Sequence, residues 1–294
     1  MRKIVTLLVA FVSMTTAFAA NPLIKNLGDS KYCIEMGNLS MTIHAAGGGK
    51  ILSFKYQDTE VISQSTWPES FGSTFWTSPQ KEWNWPPVSE FDKQPYLVEE
   101  KGSSLVMTSN VSARLNYRVR KEFTADPKDN AIVITYSIIN ESGETRKVAP
   151  WEITRVPNDG GMIFFDVPTE QITPSNLMAF QSAFGISWYK TDEANGNRKI
   201  NADGKGWLAY ANKGLLLIKK FQDLDVSQPA PDEAEIQVYV NRGKSYIELE
   251  SQGAYTELKP NESLSWTVRW YLVPDDTAVA PNKKLLQKVR KIVK

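Results

Sequence analysis

The sequence has 294 residues, and its 34 lysine and arginine residues nearly balance its 33 aspartate and glutamate residues. This balance excludes proteins that bind nucleic acid or anionic membranes through bulk positive charge. Hydrophobic residues make up 41% of the chain, which excludes a mainly disordered protein. The single cysteine and single histidine exclude an intramolecular disulfide and a zinc site built from cysteine and histidine clusters. We predict no metal and no other cofactor.

The first nineteen residues have the pattern of a cleaved secretory signal peptide. Arg2 and Lys3 precede the apolar run 4–12, and Ala17 and Ala19 supply the small residues that signal peptidase requires. We therefore expect export to a bacterial periplasm or to the cell exterior. No later segment approaches the roughly 20 uncharged residues of a transmembrane helix, so no membrane span is predicted.

Alternation of apolar and polar residues dominates the chain after the signal. Leu39, Met41 and Ile43 alternate with polar residues, which predicts a half-buried strand. Further segments rich in β-branched and aromatic residues follow, and turn sequences rich in Asn, Asp, Gly and Pro separate them. The predicted strands after this one are 50–56, 104–109, 115–123, 131–139, 147–156, 162–165, 185–189, 207–210, 215–221, 235–240, 245–250, 254–258 and 263–273.

The end of the chain is the only segment with helical spacing. Four apolar residues fall on one face of a helix over 283–294, and this helix is expected to cap the sheets. Many short strands joined by tight turns indicate antiparallel sheets, and no linker or internal repeat divides the chain. The sequence therefore predicts an all-β protein, with one large β-sandwich domain over 20–294 and a short C-terminal helix.

Segment 67–87 has an unusual composition, with four of the nine tryptophans and four prolines. This proline density predicts a long ordered loop rather than a central strand. Indole faces can stack on the C–H face of a sugar ring while amides bind its hydroxyl groups. Alternatively, the rings pack the loop onto the sheet, because tryptophan is highly buried on average. The candidate sugar-binding residues of this segment are Trp76, Gln80, Trp83 and Trp85.

The predicted strand 147–156 carries a second group of candidates. Alternation places Trp151 and Arg155 on one face of the strand and Glu152 on the other. The guanidinium of Arg155 can donate to hydroxyl groups or to a carboxylate, and a cross-strand ion pair is the alternative interpretation.

Two glutamates form a third candidate group on strand 245–250. Glu248 and Glu250 share one face, and like charges at this spacing raise each other's pKa, more so when they are desolvated. A carboxylate tuned in this way can act as a general base on a sugar hydroxyl. Two glutamates on the wet face of an edge strand would give the same pattern.

Four segments carry a family resemblance: 48–54 (GGKILSF), 75–87 (FWTSPQKEWNWPP), 149–152 (APWE) and 258–263 (LKPNES). They resemble motifs of the galactose mutarotase-like superfamily, and more narrowly of a family of secreted bacterial proteins of unassigned function within it. The resemblance implies a large antiparallel β-supersandwich and covers nearly the whole mature chain. Aldose mutarotases of this superfamily use a glutamate as general base and a histidine as general acid to open and reclose the sugar ring.

The resemblance also implies site residues. Segment 249–252 (LESQ) is similar to the late Leu-Glu-x-Gln segment of those enzymes, which makes Glu250 the candidate base. Where the enzymes carry histidine and tyrosine or phenylalanine on a central strand, this chain has Pro150, Trp151 and Glu152. Mutarotation would therefore need another acid, and Glu152 held protonated by burial is the candidate; otherwise the reaction has been lost.

Three classes of function remain open from the sequence. We rank first a secreted carbohydrate-binding protein with a mutarotase-like cleft. The second is a carbohydrate-active enzyme, either an aldose epimerase or a glycan hydrolase or lyase, with Glu250 and Glu152 as its catalytic carboxylates. The third is a structural or protein-interaction domain of the envelope, in which the aromatic segment is an internal plug. The predicted sugar-binding residues are Trp76, Gln80, Trp83, Trp85, Trp151, Arg155 and Glu248.

Overall fold

The structure is a computed structural model that describes residues 22–64, 71–193 and 195–294. The predicted signal peptide at 1–19 lies outside the described residues, and so do Trp67 and Pro68 of the aromatic segment. None of the helices in the described ranges is long and apolar enough to cross a lipid bilayer.

Short strands make up about half of the described chain, as the alternating sequence pattern predicts. Three short 3-10 helices occupy Ala45–Gly47, Gln80–Glu82 and Thr169–Gln171. The helices are α1 (Ser89–Asp92) and α2 (Lys283–Ile292). The strands are β1 (Leu23–Gly28), β2 (Lys31–Met36), β3 (Leu39–His44), β4 (Lys50–Tyr56), β5 (Thr59–Glu60), β6 (Ser73–Ser78), β7 (Leu97–Lys101), β8 (Ser104–Thr108), β9 (Tyr117–Asp126), β10 (Ala131–Asn140), β11 (Arg146–Pro157), β12 (Met162–Phe165), β13 (Gln181–Ala183), β14 (Ile186–Lys190), β15 (Arg198–Ala202), β16 (Trp207–Asn212), β17 (Leu215–Lys220), β18 (Ile236–Val240), β19 (Tyr246–Gln252), β20 (Thr256–Leu258) and β21 (Ser263–Pro274).

The strands form two antiparallel sheets. The first, an eleven-stranded sheet, has the order β1-β2-β3-β4-β6-β11-β19-β18-β15, with β5 beside β4 and β20 beside β11. The second, a ten-stranded sheet, has the order β13-β14-β12-β16-β17-β21-β10-β9-β8-β7. The first sheet contains all five strands that position the candidate site: β6, β11, β19, β18 and β15.

One apolar core joins the inner faces of the two sheets. Phe75 of the eleven-stranded sheet stacks on Tyr136 of the ten-stranded sheet, with 4.4 Å between ring centroids. Phe54 and Trp270 make a similar contact across the sheets, edge to face at 5.6 Å. Such contacts bury the alternate apolar residues of each strand, which is the driving force for a sandwich. The prediction of an all-β antiparallel supersandwich is confirmed.

Helix α2 caps the outer face of the ten-stranded sheet. The Asn282 side chain accepts a hydrogen bond from the backbone N–H of Lys284 at 2.8 Å, which is the usual N-cap arrangement. Leu285, Leu286 and Val289 are buried in a second apolar cluster on that face. The predicted C-terminal helix is therefore confirmed, and its apolar stripe supplies the packing that stabilises it.

The position of strand β6 corrects the prediction that the aromatic segment 67–87 is a loop. Strand β6 lies in the middle of the eleven-stranded sheet, between β4 and β11, so the prediction of a continuous loop over 67–87 is wrong. The prolines of the segment precede or follow Ser73–Ser78, so none of them removes a donor from the ladder. Among the described residues of the segment, the part that follows Pro79 runs as a loop, and it begins with the short 3-10 helix at Gln80–Glu82.

Candidate functional site

A pocket of about 390 Å³ lies on the outer face of the eleven-stranded sheet. Residues that face each other across antiparallel strands point to the same side of a sheet. On this side Trp151 of β11 lies opposite Trp76 of β6, and Glu248 of β19 lies opposite Tyr239 of β18. The pairing of the strands therefore gathers side chains that are far apart in sequence. The pocket is lined by Trp76, Gln80, Trp85, Trp151, Asn197, Lys199, Tyr239, Tyr246, Glu248 and Glu250.

Three tryptophans form the aromatic wall of the pocket. The ring of Trp76 makes edge-to-face contacts with Trp151 and Trp85, at 5.4 and 6.2 Å between ring centroids. Trp85 is 57% exposed and stands at the rim. Trp76 and Trp151 are nearly buried, so they offer a fixed surface to a ligand. The wall therefore combines one open ring with two rigid ones.

The predicted residue Trp83 does not line this pocket. Its indole N–H donates to the backbone carbonyl of Thr77 at 2.8 Å, and the side chain is buried. Its ring packs behind Trp76 and Trp151, at 5.5 and 6.3 Å between centroids. Trp83 thus supports the aromatic wall from behind. For this ring, the alternative prediction of packing onto the sheet describes its position.

Glu250 is the most buried ionisable group of the pocket, with 1% of its side chain exposed. Its Oε2 atom accepts hydrogen bonds from Lys199 Nζ and from the Trp151 indole N–H, both at 2.9 Å. The Lys199 ammonium also lies over the Trp151 ring, 4.6 Å from its centroid. The three side chains form one contact set, which we call the outer trio.

The surroundings of Glu250 shift its protonation. Burial raises the pKa of this carboxyl above its ordinary value; the Lys199 ammonium opposes the rise and the Glu248 carboxylate adds to it. A raised pKa brings a carboxyl closer to the range in which it can accept and return a proton. The adjacent ammonium group of Lys199 provides a proton donor in contact with it.

Glu248 is held by the predicted residue Arg155. The Arg155 Nη2 atom lies 2.8 Å from Glu248 Oε1, across directly opposite positions of β11 and β19. The Arg155 guanidinium is buried between the rings of Trp76 and Tyr246, 6.0 and 5.6 Å from their centroids. Arg155 therefore lies behind the lining residues. Its contact with Glu248 is the cross-strand ion pair that the sequence offered as the alternative to ligand binding.

A buried aspartate that the sequence reasoning missed fixes Trp76. Asp92 of α1 accepts hydrogen bonds from the Trp76 indole N–H at 3.0 Å and from Thr74 Oγ1 at 2.8 Å. Lys50 Nζ lies 3.0 Å from the other carboxylate oxygen. Burial alone would raise the pKa of Asp92, but Lys50 and these hydrogen bonds lower it below its ordinary value. An ionised Asp92 orients the ring that forms the centre of the aromatic wall.

The structure does not bring Glu152 into the pocket. Alternation along β11 turns this side chain to the inner face of the sheet, where it is 0% exposed. There Glu152 Oε2 lies 2.7 Å from Lys219 Nζ, and Glu152 Oε1 accepts a hydrogen bond from the Trp270 indole N–H at 3.0 Å. We call Glu152, Lys219 and Trp270 the inner trio. Glu152 and Glu250 therefore belong to opposite faces of one sheet.

Four lining residues were absent from the sequence prediction: Asn197, Lys199, Tyr239 and Tyr246. Asn197 and Lys199 belong to β15 and its flank, a strand that the pattern analysis overlooked. Its five residues include only two apolar ones, too few to give a clear alternation signal. The turn sequences 195–197 and 203–204 on either side could have bounded it as a short strand.

Gln80 lies at the side of the pocket that faces β18. It begins the short 3-10 helix, and its backbone N–H donates to Glu233 Oε1 at 3.1 Å. Within the described ranges, no group of three histidine, cysteine or acidic side chains has the geometry to hold a metal ion.

Many solved structures share this arrangement of strands. A proposed aldose 1-epimerase from Escherichia coli K12 aligns over 81% of this chain and 97% of its own, with a TM-score of 0.59 and 14% identity. A galactose mutarotase-like protein from Lactobacillus casei aligns over 83% and 100%, with a TM-score of 0.59 and 11% identity. A galactose mutarotase related enzyme from Lactobacillus acidophilus aligns over 84% and 99%, with a TM-score of 0.53 and 13% identity. No protein-family model and no curated protein sequence matches the chain.

The chain therefore has the galactose mutarotase-like fold, as its motifs predicted. At this level of identity the similarity defines the fold alone, and one fold can carry many functions. Function must be argued from the side chains of the pocket.

Proposed function

We propose that the protein binds carbohydrate in the pocket on the outer face of the eleven-stranded sheet. The observation that carries this proposal is the convergence of indole rings and charged oxygen and nitrogen groups on one cavity of about 390 Å³. A pyranose ring has an apolar C–H face and a rim of hydroxyl groups. The exposed ring of Trp85 matches the first, and Glu248, Glu250 and Lys199 match the second.

The proposal also includes the cellular compartment in which the protein would bind its ligand. The signal pattern predicted for residues 1–19 supports export, so the carbohydrate would be encountered in the periplasm or outside the cell. The solved structures that share the fold include proteins described as an aldose 1-epimerase and a galactose mutarotase related enzyme, which supports a sugar ligand by analogy.

Saturation-transfer NMR with a panel of monosaccharides tests the binding proposal. Sugar protons should receive magnetisation from the wild-type protein, and Trp85→Ala should weaken the effect strongly. Phe184→Ala is the matched control, because Phe184 is also an exposed aromatic residue, at 49%, and does not line the pocket. Absence of transfer across the panel from folded wild-type protein would contradict the proposal.

The outer trio favours a second candidate function, an aldose epimerase acting on the same ligand. Glu250 would take the proton from the anomeric hydroxyl group as the ring C–O bond breaks, and the Lys199 ammonium would protonate the released ring oxygen. The open-chain aldehyde would then reclose on either face as both protons return. The 2.9 Å contact between Glu250 and Lys199 supports this pairing, since it places base and acid together.

Anomer exchange of the sugars that bind separates the two candidates. A binding protein leaves the exchange rate of a freshly dissolved sugar unchanged, whereas an epimerase accelerates it. Lys199→Met should remove the acceleration if Lys199 is the acid. Lys205→Met is the matched control, because Lys205 is an exposed lysine close to Lys199 in sequence that does not line the pocket. Acceleration that survives Lys199→Met would overturn the assignment of the acid.

A further inference from the structure

Two further cavities, of about 280 and 320 Å³, lie next to the pocket. The middle cavity shares Gln80 and Lys199 with the pocket. The far cavity shares Asn201, Asp232 and Glu233 with the middle one. Because neighbouring cavities share lining residues, the three follow one another along this face, and we call the row the outer-face groove.

Strand β15 sets the direction and length of the groove. Asn197, Lys199, Asn201 and Asp203 are alternate residues along this strand and its flanks, and each lines at least one of the three cavities. Alternate residues project from the same face of a strand. Six residues of extended chain separate the first from the last, which corresponds to roughly 20 Å. This length is several times the width of one sugar ring, so a monosaccharide in the pocket leaves most of the groove empty.

The floor of the groove is a fixed array of polar groups. Gln237 Nε2 donates to Asn201 Oδ1 and to Glu233 Oε2, both at 2.9 Å. Gln252 Nε2 donates to Glu233 Oε2 and to Gln237 Oε1, both at 3.1 Å. Gln237 and Gln252 are buried beneath the groove and hold the exposed groups in place. Preorganised amide groups can donate to hydroxyl groups and accept from them, and carboxylates can accept from them, so the array is suited to a hydroxyl-rich ligand.

The charges that line the groove narrow the class of ligand. The middle and far cavities are lined by the carboxylates of Asp203, Asp232 and Glu233, and among their lining residues the only cation is Lys199. Glu235 also lines the far cavity, but its side chain is buried and burial raises its pKa to about 7, so we do not count it as a surface charge. Asp232 lies 3.5 Å from the exposed Lys81, which leaves Asp203 and Glu233 as the main negative groups. Lys199 is already paired with Glu250. An acidic surface repels uronic acids and sulfated sugars and accepts uncharged ones.

We propose that the outer-face groove binds an uncharged oligosaccharide, with one terminal sugar ring in the pocket and the following units along β15. This proposal rests on the proposed function, since the first ring occupies the site described there. It adds the class and length of the ligand.

Isothermal titration calorimetry with glucose, mannose, xylose, galactose and their β-1,4-linked tetrasaccharides tests the proposal. The tetrasaccharide of a sugar that binds should bind at least about tenfold more tightly than its monosaccharide. Tetragalacturonate, the anionic probe, should bind at least about tenfold more weakly than the uncharged tetrasaccharide.

Two matched variants locate the effect within the groove. Asn201→Ala should reduce tetrasaccharide affinity to nearly that of the monosaccharide, without changing monosaccharide affinity, because Asn201 lines only the middle and far cavities. Asn197→Ala should weaken both ligands by the same factor, because Asn197 lines only the pocket.

The possible outcomes distinguish a failure of the groove proposal from a failure of the sugar-pocket proposal. Equal affinities for a monosaccharide and its tetrasaccharide would overturn the groove and leave the sugar pocket intact. Binding of no neutral sugar of either length would overturn both. Tighter binding of tetragalacturonate than of the uncharged tetrasaccharides would overturn the charge argument and with it the proposed ligand class.

Discussion

Within the described ranges, a glutamate, a lysine and a tryptophan meet on each face of the eleven-stranded sheet. On the outer face, Glu250 accepts hydrogen bonds from Lys199 and Trp151, both at 2.9 Å. The Lys199 side chain is 33% exposed, and all three residues line the pocket. This set therefore borders a cavity that a ligand can enter, although the Glu250 side chain itself is only 1% exposed.

The inner trio uses the same chemistry in the closed space between the sheets. Lys219 lies 2.7 Å from Glu152 and 5.4 Å from the centroid of the Trp270 ring. The side chains of Lys219 and Glu152 are both 0% exposed, and Tyr136 adds a hydrogen bond to Glu152 at 2.8 Å. The comparison teaches that residue type does not separate a functional set from a structural one. The two sets differ in whether they line a cavity, and the face of the strand from which each side chain projects determines this.

The largest expected effect is a difference in the free energy of unfolding between variants of the inner trio and variants of the outer trio. Glu152→Ala leaves the Lys219 charge buried without its partner and should lower the free energy of unfolding by about 3–5 kcal/mol. Glu250→Ala should cost less, about 1–2 kcal/mol, because Lys199 is 33% exposed and can turn toward water, so only the Trp151 indole N–H loses its acceptor. Urea unfolding measures both. Glu152→Gln combined with Lys219→Met removes both charges and should restore most of the loss; equal losses in the two alanine variants would contradict the comparison.

The next effect concerns the outer trio as a catalyst. If the protein accelerates anomer exchange, Glu250→Gln should reduce the acceleration by at least about 100-fold, since removal of a general base typically costs this much. The base acts when ionised, and burial raises the pKa of Glu250 above the ordinary value of 4.5. The rate should therefore fall as the pH is lowered through that raised pKa. A rate that is independent of pH from 5 to 8 and unaffected by Glu250→Gln would exclude this role.

A smaller effect separates the tryptophans of the aromatic segment. Trp85→Ala should weaken sugar binding by about tenfold while leaving the free energy of unfolding nearly unchanged, because Trp85 is 57% exposed. Trp83→Ala should destabilise the fold by about 3–5 kcal/mol, because this ring is buried behind the wall. Calorimetric titration and urea unfolding of both variants measure the two quantities. The reverse pattern would mean that the aromatic wall has been assigned incorrectly.

The sequence predicts most of the fold because alternation is directly visible in strands with one buried face. The predicted strands 50–56 and 162–165 coincide with β4 and β12. It misses seven strands: β1, β2, β5, β6, β7, β13 and β15. In β6 all six residues are buried and no alternation exists, and in β15 the outer face is polar. These two missed strands carry pocket residues, since Trp76 lies on β6 and Lys199 on β15.

The candidate site is predicted only in part, for the same reason. Trp76, Gln80, Trp85, Trp151, Glu248 and Glu250 all line the pocket that the structure contains. Glu152 does not, although it is adjacent to Trp151 in sequence, because adjacent residues of a strand point to opposite faces. Lys199 could not be paired with Glu250 from sequence, since two intervening strand pairings, β15 with β18 and β18 with β19, bring them together.

The indole N–H groups of the nine tryptophans allow the most direct test of the central claim, that the outer pocket is the sugar site. Each gives its own signal in a two-dimensional ¹⁵N–¹H NMR spectrum, and Trp→Phe variants assign them. During titration with a sugar that binds, the signals of Trp85 and Trp151 should shift while that of Trp270 stays in place. A shift of Trp270 without Trp151, or binding that leaves Trp85 and Trp151 unmoved, would contradict the account.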